Sequence, residues 1–318
     1  MLAVIKEYLL NLRMFFSDYI DMMRSLSSRY KISNLERKML LLSHALEKGM
    51  TFKDKKNGWG KEKCIALCNC IGQYVNIINT LSDVLIYSIN VINNYKCDTQ
   101  ASKDKSLEEL ICRITEKYKE LLNSEMSGVK SISEPHAFDK ELIMDFFNTR
   151  SSVRYFSNQE ITNQEISDAV SFAKCTPTAC NRQSSRIYVF RNKDVINSIL
   201  DNQLGNQGWC NNANALIVLT GVQSYFGGGY ERNQVFIDGG LFAMNLVYGL
   251  HLQHIATCFK MYVRSPKHDK LFRDICGIPR NEQPIVLILC GHYCEEKTLS
   301  TASGRFNTPL VIDGETIS

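Results

Sequence analysis

The stretch ALIVLTG, residues 215–221, contains no charged side chain and is rich in aliphatic and β-branched residues. A short uncharged run of this composition is typical of a strand that is buried on both faces. The chain around it alternates between helical and strand patterns and shows no internal repeat. Because a strand of this kind needs layers of structure on both sides, we expect an α+β fold around it.

Strand and helix patterns follow one another on both sides of this run. Further strands are predicted at SRIYVFRN (185–192), ATCFKMYV (256–263) and PIVLILCG (284–291). Helices are predicted at EISDAVSFAK (165–174), DVINSIL (194–200), FIDGGLFAMNLVYGLHLQH (236–254) and between Pro266 and Gly277. Thr162 and Glu165 have the spacing of a capping box, which marks the start of the first of these helices.

The part of the chain before residue 140 is predicted to be almost entirely helical. Helices are expected at 1–26, 34–49 and 106–124, and long apolar periodic stretches cover 62–95. The amphipathic pattern of 1–26 favours packing on the protein itself or on a second copy over contact with a membrane surface. Residues 127–135 lack periodicity and are predicted to be a linker. We therefore expect two domains, a helical extension at 1–135 and a second domain at 136–318.

The overall composition limits the classes of protein to consider. The chain has 318 residues, of which 44% are hydrophobic and 22% charged, and its net charge is +4. This balance is typical of a globular protein and too weakly basic to indicate nucleic-acid binding. The uncharged run 64–82 contains four amide side chains, so we expect it not to span a membrane. No signal peptide is recognisable, which predicts a cytoplasmic location.

The twelve cysteines are predicted to be reduced and mostly buried. Many of them stand in apolar runs such as IALCNCIG (65–72), where a free cysteine behaves as a small hydrophobic residue. Cys64, Cys68 and Cys70 are close enough in sequence to suggest a metal site. However, a helix would place Cys64 and Cys68 on one face, and no second pair of ligands stands at zinc spacing. We therefore predict core thiols and no metal site.

Several familiar motifs are absent from the sequence. No GxGxxG follows a predicted strand, and GxxxxGK[ST], HExxH and GxSxG do not occur. Their absence argues against a Rossmann cofactor site, a P-loop, a thermolysin-like zinc site and an α/β-hydrolase nucleophile in their usual forms.

The segment RSSVRYF, residues 150–156, is a candidate anion site. Arg150 and Arg154 supply fixed positive charge and forked donors, and Ser151 and Ser152 add hydroxyl donors. If the segment is helical, the two arginines lie on one face and can reach a single anion. Alone, the same residues are explained as well by a helix end or by surface ion pairs.

Two further segments carry polar groups that suit a ligand. TPTACNRQ, residues 176–183, has a proline that ends a helix, small residues, and the amides of Asn181 and Gln183, which can donate and accept at once. Ser303 and Arg305 near the carboxyl terminus again combine a hydroxyl with a guanidinium. Taken singly, the first is explained as a polar turn and the second as an exposed tail.

In this order and spacing, the three segments resemble the FMN-dependent nitroreductase family. RSSVRYF is similar to the family pattern R-[RS]-S-x-R-x-[FY], PTACNRQ to P-[ST]-x-x-N-x-Q, and SGRF (303–306) to its carboxyl-terminal phosphate contact. The resemblance covers about 144–311, with ANALIVLTG (213–221) in the place of the middle strand. It implies a three-layer α+β fold with a mixed or antiparallel central sheet flanked by helices.

The resemblance also implies a cofactor, a donor and an assembly. The cofactor is FMN, the electron donor is NADH or NADPH, and the substrate is a small organic molecule. FMN would lie at the interface of a homodimer, with the PTACNRQ turn supplied by the partner subunit. The implied cofactor-binding residues are Arg150, Ser151, Ser152, Arg154, Pro177, Thr178, Ala179, Asn181, Gln183, Ser303 and Arg305. No catalytic acid or base is implied. Ala179-Cys180 and Ser184-Ser185 depart from the family pattern, so the resemblance does not predict the substrate pocket.

The segment SHALEKGM, residues 43–50, is similar to one that precedes the nitroreductase domain in some bacterial proteins associated with polysaccharide biosynthesis. His44, Glu47 and Lys48 share one face of a helix at this spacing. They are explained either by a lid or substrate-binding cluster over the flavin or by an intrahelical surface cluster.

Three functions follow from these observations. The first is hydride transfer from NAD(P)H through FMN to a small organic acceptor. The second is a flavin-dependent dehydrogenation in polysaccharide or natural-product biosynthesis, without free nicotinamide. The third is a non-catalytic partner-binding protein with a vestigial flavin site, which the retention of three arginines in the motifs disfavours.

Overall fold

The computed structural model describes residues 2–123, 125–201, 203, 212–263, 266–294 and 298–305. Its α-helices are α1 (Leu2–Ser25), α2 (Lys31–Met50), α3 (Lys61–Val75), α4 (Asp83–Cys97), α5 (Lys105–Lys117), α6 (Lys140–Thr149), α7 (Asn163–Ala173), α8 (Lys193–Asp201), α9 (Gln234–Leu252) and α10 (Pro266–Cys276). Its strands are β1 (Ser185–Phe190), β2 (Ala215–Val222), β3 (Ile255–Met261) and β4 (Glu282–His292). Ser265, ahead of α10, and the residues from Phe306 onward lie outside the described residues.

The four strands form one antiparallel sheet in the order β1-β2-β4-β3. Every residue of β2 is buried, and the strand lies between β1 and β4. This confirms the prediction that the run at 215–221 is an interior strand. The order places β1 and β3 at opposite edges of the sheet.

Helices cover both faces of the sheet because β2 and β4 present apolar side chains alternately to each side. Leu216 and Val218 pack in one cluster with residues of α8 and α10, including Ile199 and Phe272. Ala215 and Ile217 pack in a second cluster with Ala169 and Ala173 of α7 and with Leu246 and Leu250 of α9. The predicted α+β class, with a central sheet flanked by helices, is therefore confirmed.

Local signals in the sequence also match the structure. The Thr162 hydroxyl accepts from the Glu165 backbone N–H, and the Glu165 carboxylate accepts from the Thr162 N–H at 2.7 Å, so the predicted capping box is present. Gly277, with φ of 67°, follows the last residue of α10, as expected for a left-handed helix terminator.

The predicted helix at 106–124 is shorter in the structure, where α5 ends at Lys117. The buried side chain of Asn90 explains this difference. Its Nδ2 donates to the Leu121 carbonyl at 3.0 Å, and its Oδ1 accepts from the Asn123 N–H at 2.7 Å. These bonds satisfy backbone groups that would otherwise continue the helix.

The amino-terminal helices share a hydrophobic core with the segment that follows β2. Met39, Leu46 and Ile89 belong to the same buried cluster as Tyr225 and Phe226. The predicted linker, residues 127–135, contains neither helix nor strand. The domain boundary at 135/136 stays a prediction, because the two parts of the chain meet over a common core.

One helical stretch of the described residues, Gly229–Leu252, is long and apolar enough to cross a membrane by length and composition alone. Its part α9 packs on the sheet through Leu246, Val247 and Leu250, which are fully buried. This packing explains the apolar composition of α9 as that of a core helix.

The close contact of α7 and α9 generates a prediction about stability. A Cβ on Gly249 would lie 2.8 Å from both the Cα and the carbonyl oxygen of Ala169, which are backbone atoms that cannot rotate away. We expect Gly249→Ala to lower the free energy of unfolding by about 1–3 kcal/mol, the usual range for overpacking. Chemical denaturation measures this value.

Gly72→Ala in α3 is the matched control, since nothing lies within 4 Å of its added Cβ. Alanine is favoured over glycine inside a helix by about 1 kcal/mol, so this variant should be slightly stabilised. Equal stabilisation of both variants would contradict the close contact of α7 and α9.

Candidate functional site

The segment 150–156 is extended rather than helical. Helix α6 ends at Thr149, and Arg150 has extended backbone angles (φ −65°, ψ 118°). Ser152 forms an isolated parallel bridge with Thr257 of β3, and the Val153 N–H donates to the Thr257 carbonyl at 3.0 Å. The segment is therefore not a helix that places Arg150 and Arg154 on one face, which was one of the possibilities considered from the sequence. Alternate residues of an extended segment share one side, so Arg150, Ser152 and Arg154 can still act together.

Three cations gather around Cys258 of β3. Burial raises the pKa of the Cys258 thiol, whereas Arg154, Lys260 and Arg150 act to lower it, as does a hydrogen bond with Ser152. The three charges therefore act on one thiol, next to the bridge between Ser152 and Thr257. We call Arg150, Arg154 and Lys260 the cation cluster. Like charges held this close favour binding of an anion such as a phosphate.

Lys260 is a candidate site residue that the sequence analysis did not identify. It lies in β3 with a relative exposure of only 6%. Cys258, two residues earlier, is buried on the same side of the strand, whereas Phe259 is exposed. The signal in the sequence is a lysine at a buried position of an apolar strand, where a charge is costly unless it meets a partner.

The segment 300–305 near the carboxyl terminus contacts RSSVRYF. The Ser300 hydroxyl donates to the Ser152 carbonyl at 3.1 Å. Ser303 and Arg305 are exposed and follow closely, and the Arg305 guanidinium donates to the Ser303 carbonyl at 2.6 Å. The structure thus brings this segment beside the cation cluster, while the roles of Ser303 and Arg305 in binding stay a prediction.

The turn at 177–183 is held in an uncommon backbone conformation. Cys180, Asn181 and Gln183 all have positive φ, with values of 53°, 51° and 46°. Such non-glycine residues cost on the order of 1 kcal/mol each and persist only where their surroundings fix them. They occur often at ligand sites, which fits the predicted role of this turn.

Hydrogen bonds from inside and outside the turn fix it. The Gln183 N–H donates to the Thr178 hydroxyl at 3.0 Å, and the Gln183 side-chain amide donates to Asn181 Oδ1 at 3.2 Å. The Ala179 N–H donates to Asp238 Oδ2 of α9 at 3.0 Å, and Gln234 Nε2 donates to Asp238 Oδ1 at 2.8 Å. Asp238 is buried, so it is a positioning residue that the sequence motifs did not indicate.

The buried side chain of Arg182 also holds this turn in place. Its guanidinium donates to the Tyr225 carbonyl at 3.0 Å and to the Glu231 carboxylate. It also lies over the Phe226 ring, 4.9 Å from the centroid. Arg182 therefore supports the turn and is not free to reach a ligand.

A cavity of about 760 Å³ lies where the turn meets the amino-terminal helices. Its lining includes Thr178, Asn181 and Gln183 from the turn and Leu40, Tyr87 and Met126 from the helical part. This volume is in the range of small-molecule sites. Of the other predicted turn residues, Pro177 is exposed and Ala179 packs on the amino-terminal core.

Glu47 of the SHALEKGM segment is hydrogen-bonded to Tyr87, which lines this cavity. The Tyr87 hydroxyl donates to Glu47 Oε2, and the Gly128 N–H donates to Glu47 Oε1 at 3.0 Å. Among the described residues, no ion pair joins Glu47 to His44 or Lys48. Glu47 is thus engaged inside the protein, which favours the hypothesis of a site-related role over that of a surface cluster.

One chain does not bring the cation cluster and the turn together. The cation cluster lies beside β3, whereas the turn leads into β1, at the other edge of the sheet. Two strands separate these edges, and neighbouring strands lie about 4.8 Å apart. This separation agrees with the arrangement predicted above, in which a second subunit supplies the turn, and that arrangement stays a prediction.

The chain is similar to several known proteins over about half of its length. A curated relative from Archaeoglobus fulgidus named "Putative NADH dehydrogenase/NAD(P)H nitroreductase" is 22% identical over 159 residues, which are 50% of this chain and 90% of the relative. A solved FMN-dependent nitroreductase from Clostridium difficile R20291 aligns with 52% of this chain and 98% of its own, at 18% identity and a TM-score of 0.43. A nitroreductase family protein from Clostridium novyi NT aligns with 48% of this chain and 85% of its own, at 15% identity and a TM-score of 0.44.

The model of the nitroreductase family matches residues 148–204. That stretch contains both RSSVRYF and PTACNRQ, the two motifs that the structure places at opposite edges of the sheet. The match of residues 148–204 therefore confirms the resemblance to the nitroreductase family that the motifs predicted.

Proposed function

We propose that this chain is a cytoplasmic FMN-dependent oxidoreductase that takes electrons from NADH or NADPH and reduces a small organic acceptor. The observation that carries this proposal is the convergence of Arg150, Arg154 and Lys260 around Ser152 and Cys258 beside an edge strand. The eleven cysteines of the described residues are all unpaired, which agrees with a reducing compartment.

The cation cluster fits the phosphate end of FMN. Arginine and lysine supply charge-assisted donors, and the Ser152 hydroxyl adds a neutral one. Arg150 is our candidate for the phosphate contact, and Arg154 is our candidate for the pyrimidine edge of the ring. A guanidinium at that edge would stabilise negative charge there in a site shielded from water.

The turn at 177–183 fits the ring end. Its small residues permit close approach, and the amides of Asn181 and Gln183 offer both donors and acceptors to a heterocycle. Asp238 and Arg182 hold the turn, so these amides are preorganised before any ligand arrives. The chemistry that FMN would supply, when held by these residues, is hydride transfer from the nicotinamide to the acceptor.

A homodimer is the assembly that unites the two parts. Several large apolar side chains of α6 and α9 remain exposed in the single chain, and a second copy would cover them. They are Leu142, Ile143, Met144 and Phe147 of α6 and Phe236, Ile237, Leu241 and Leu252 of α9. We propose that this surface belongs to the dimer interface and that FMN binds between the cation cluster of one subunit and the turn of the other.

The phosphate assignment predicts the effect of Arg150→Ala. Removing a charged donor from FMN should weaken binding by about 1.5–3 kcal/mol, or roughly tenfold to 150-fold. Titration of the apoprotein with FMN, followed by quenching of flavin fluorescence, measures this change. Arg113→Ala, on the exposed side of α5, is the control and should bind as the wild type does. An unchanged affinity in Arg150→Ala would refute the assignment.

The electron donor is tested by the colour of the loaded protein. Purified protein should absorb in the flavin bands, and addition of NADH or NADPH without oxygen should bleach them. Stopped-flow absorbance with each nucleotide also identifies the preferred donor. A flavin-loaded protein that neither nucleotide bleaches would contradict the proposed donor and favour the dehydrogenation without free nicotinamide.

A further inference from the structure

Tyr87, in the helical region, lies beside the turn at 177–183. Tyr87 of α4 is 7% exposed and lines the cavity together with Asn181. Its hydroxyl donates to Glu47 Oε2, and the side chain of Asn181 lies at the same hydroxyl, where it acts to lower the pKa of Tyr87. Glu47 is held in turn by the Gly128 N–H at 3.0 Å. The SHALEKGM segment is thus connected to the turn through two side chains.

The direction of these hydrogen bonds follows from the donor inventory. A phenol has one proton, and a carboxylate can only accept. Because the Tyr87 proton goes to Glu47, the Tyr87 oxygen can only accept from Asn181. Burial, and then Glu47, raise the pKa of Tyr87, so the phenol keeps this proton at neutral pH.

This arrangement decides which end of the Asn181 amide faces the ligand. Asn181 must turn its NH₂ group toward Tyr87, and its Oδ1 accepts from the Gln183 side chain at 3.2 Å. One N–H of Asn181 then remains for a ligand. Gln183 alone could not fix this orientation, since its own amide can rotate and offer either atom.

We propose that Glu47 and Tyr87 are positioning residues that orient the Asn181 amide so that it presents a donor to the flavin site. The inference rests on the proposed function for the identity of the ligand. It assigns a role to the helical region, which lines the cavity together with the turn.

Two conservative variants test this proposal. Tyr87→Phe removes the acceptor for Asn181. Glu47→Gln replaces a carboxylate that can only accept with an amide that can also donate to Tyr87, so the direction of the Tyr87 proton is no longer fixed. We expect each to weaken FMN binding about fivefold to tenfold, the effect of one misplaced hydrogen bond. Tyr74→Phe is the matched control, because this buried tyrosine donates to Glu36 of α2 at 2.9 Å without touching the turn. It should bind FMN within twofold of the wild type.

A spectroscopic signature separates orientation from general stability. Tyr87→Phe and Glu47→Gln should shift the visible absorption bands of bound FMN as Asn181→Ala does, whereas Tyr74→Phe should leave them unchanged. Combined with Asn181→Ala, neither substitution should weaken binding further, since residues that act through one group are not additive. Full affinity and an unshifted spectrum in both single variants would overturn the proposal.

Hydrogen exchange of the apoprotein tests the same contacts without FMN. Tyr87→Phe should speed exchange in the peptide that spans 176–184, while Tyr74→Phe should not. If the wild type binds no FMN, the proposed function fails, and this local exchange still decides the inference. Unchanged exchange at 176–184 in folded Tyr87→Phe would then contradict the positioning role of Tyr87. If Tyr87→Phe does not fold, the near-isosteric Glu47→Gln decides by the same two measurements.

Discussion

The burial of β2 on both faces is the constraint on which the rest of the structure depends. A strand with no solvent-facing side needs a neighbour on each edge and a helical layer above and below. β1 and β4 occupy its edges, and β3 joins on the far side of β4. This order sends the two motifs of the nitroreductase match to opposite edges of one sheet. In the proposed assembly, a site made from both motifs would take them from two subunits.

The amino-terminal helices add a second constraint at the β1 edge. Their core continues into the segment after β2, where the Tyr225 hydroxyl donates to Glu36 of α2 at 2.9 Å. Because this packing fixes α2 and α4 beside the turn, Glu47 and Tyr87 reach the neighbourhood of Asn181. The cavity is thus closed on one side by helices that the match to the nitroreductase family, at residues 148–204, does not include.

The sequence predicted the parts of the fold that depend on neighbouring residues. Side-chain periodicity located the strands, and local chemistry identified the capping box at Thr162 and the helix end at Gly277. The extended form of the segment at Arg150 was not predictable, because it arises from pairing with Thr257, a residue distant in the chain. Local patterns carry no information about such pairings, which depend on the order of the strands.

For the candidate site, too, the sequence predicted residue types but not the contacts between distant elements. The motifs indicated most of its polar residues, since forked cations and amides are recognisable as residue types. Lys260 was missed because its role depends on β3 lying beside the segment at Ser152. Asp238 and Tyr87 were missed for a similar reason, as each acts on the turn from an element far away in sequence.

The central claim, one flavin site built from two chains, is tested most directly by mixing two defective subunits. A chain with Arg154→Ala is co-expressed with a differently tagged chain that carries Asn181→Ala, and the mixed dimer is purified through both tags. If the site spans the interface, the mixed dimer contains one site with both residues intact. It should then bind one FMN per dimer with near wild-type affinity, although each parent binds weakly. A mixed dimer that binds FMN as weakly as its parents at every site would contradict the claim.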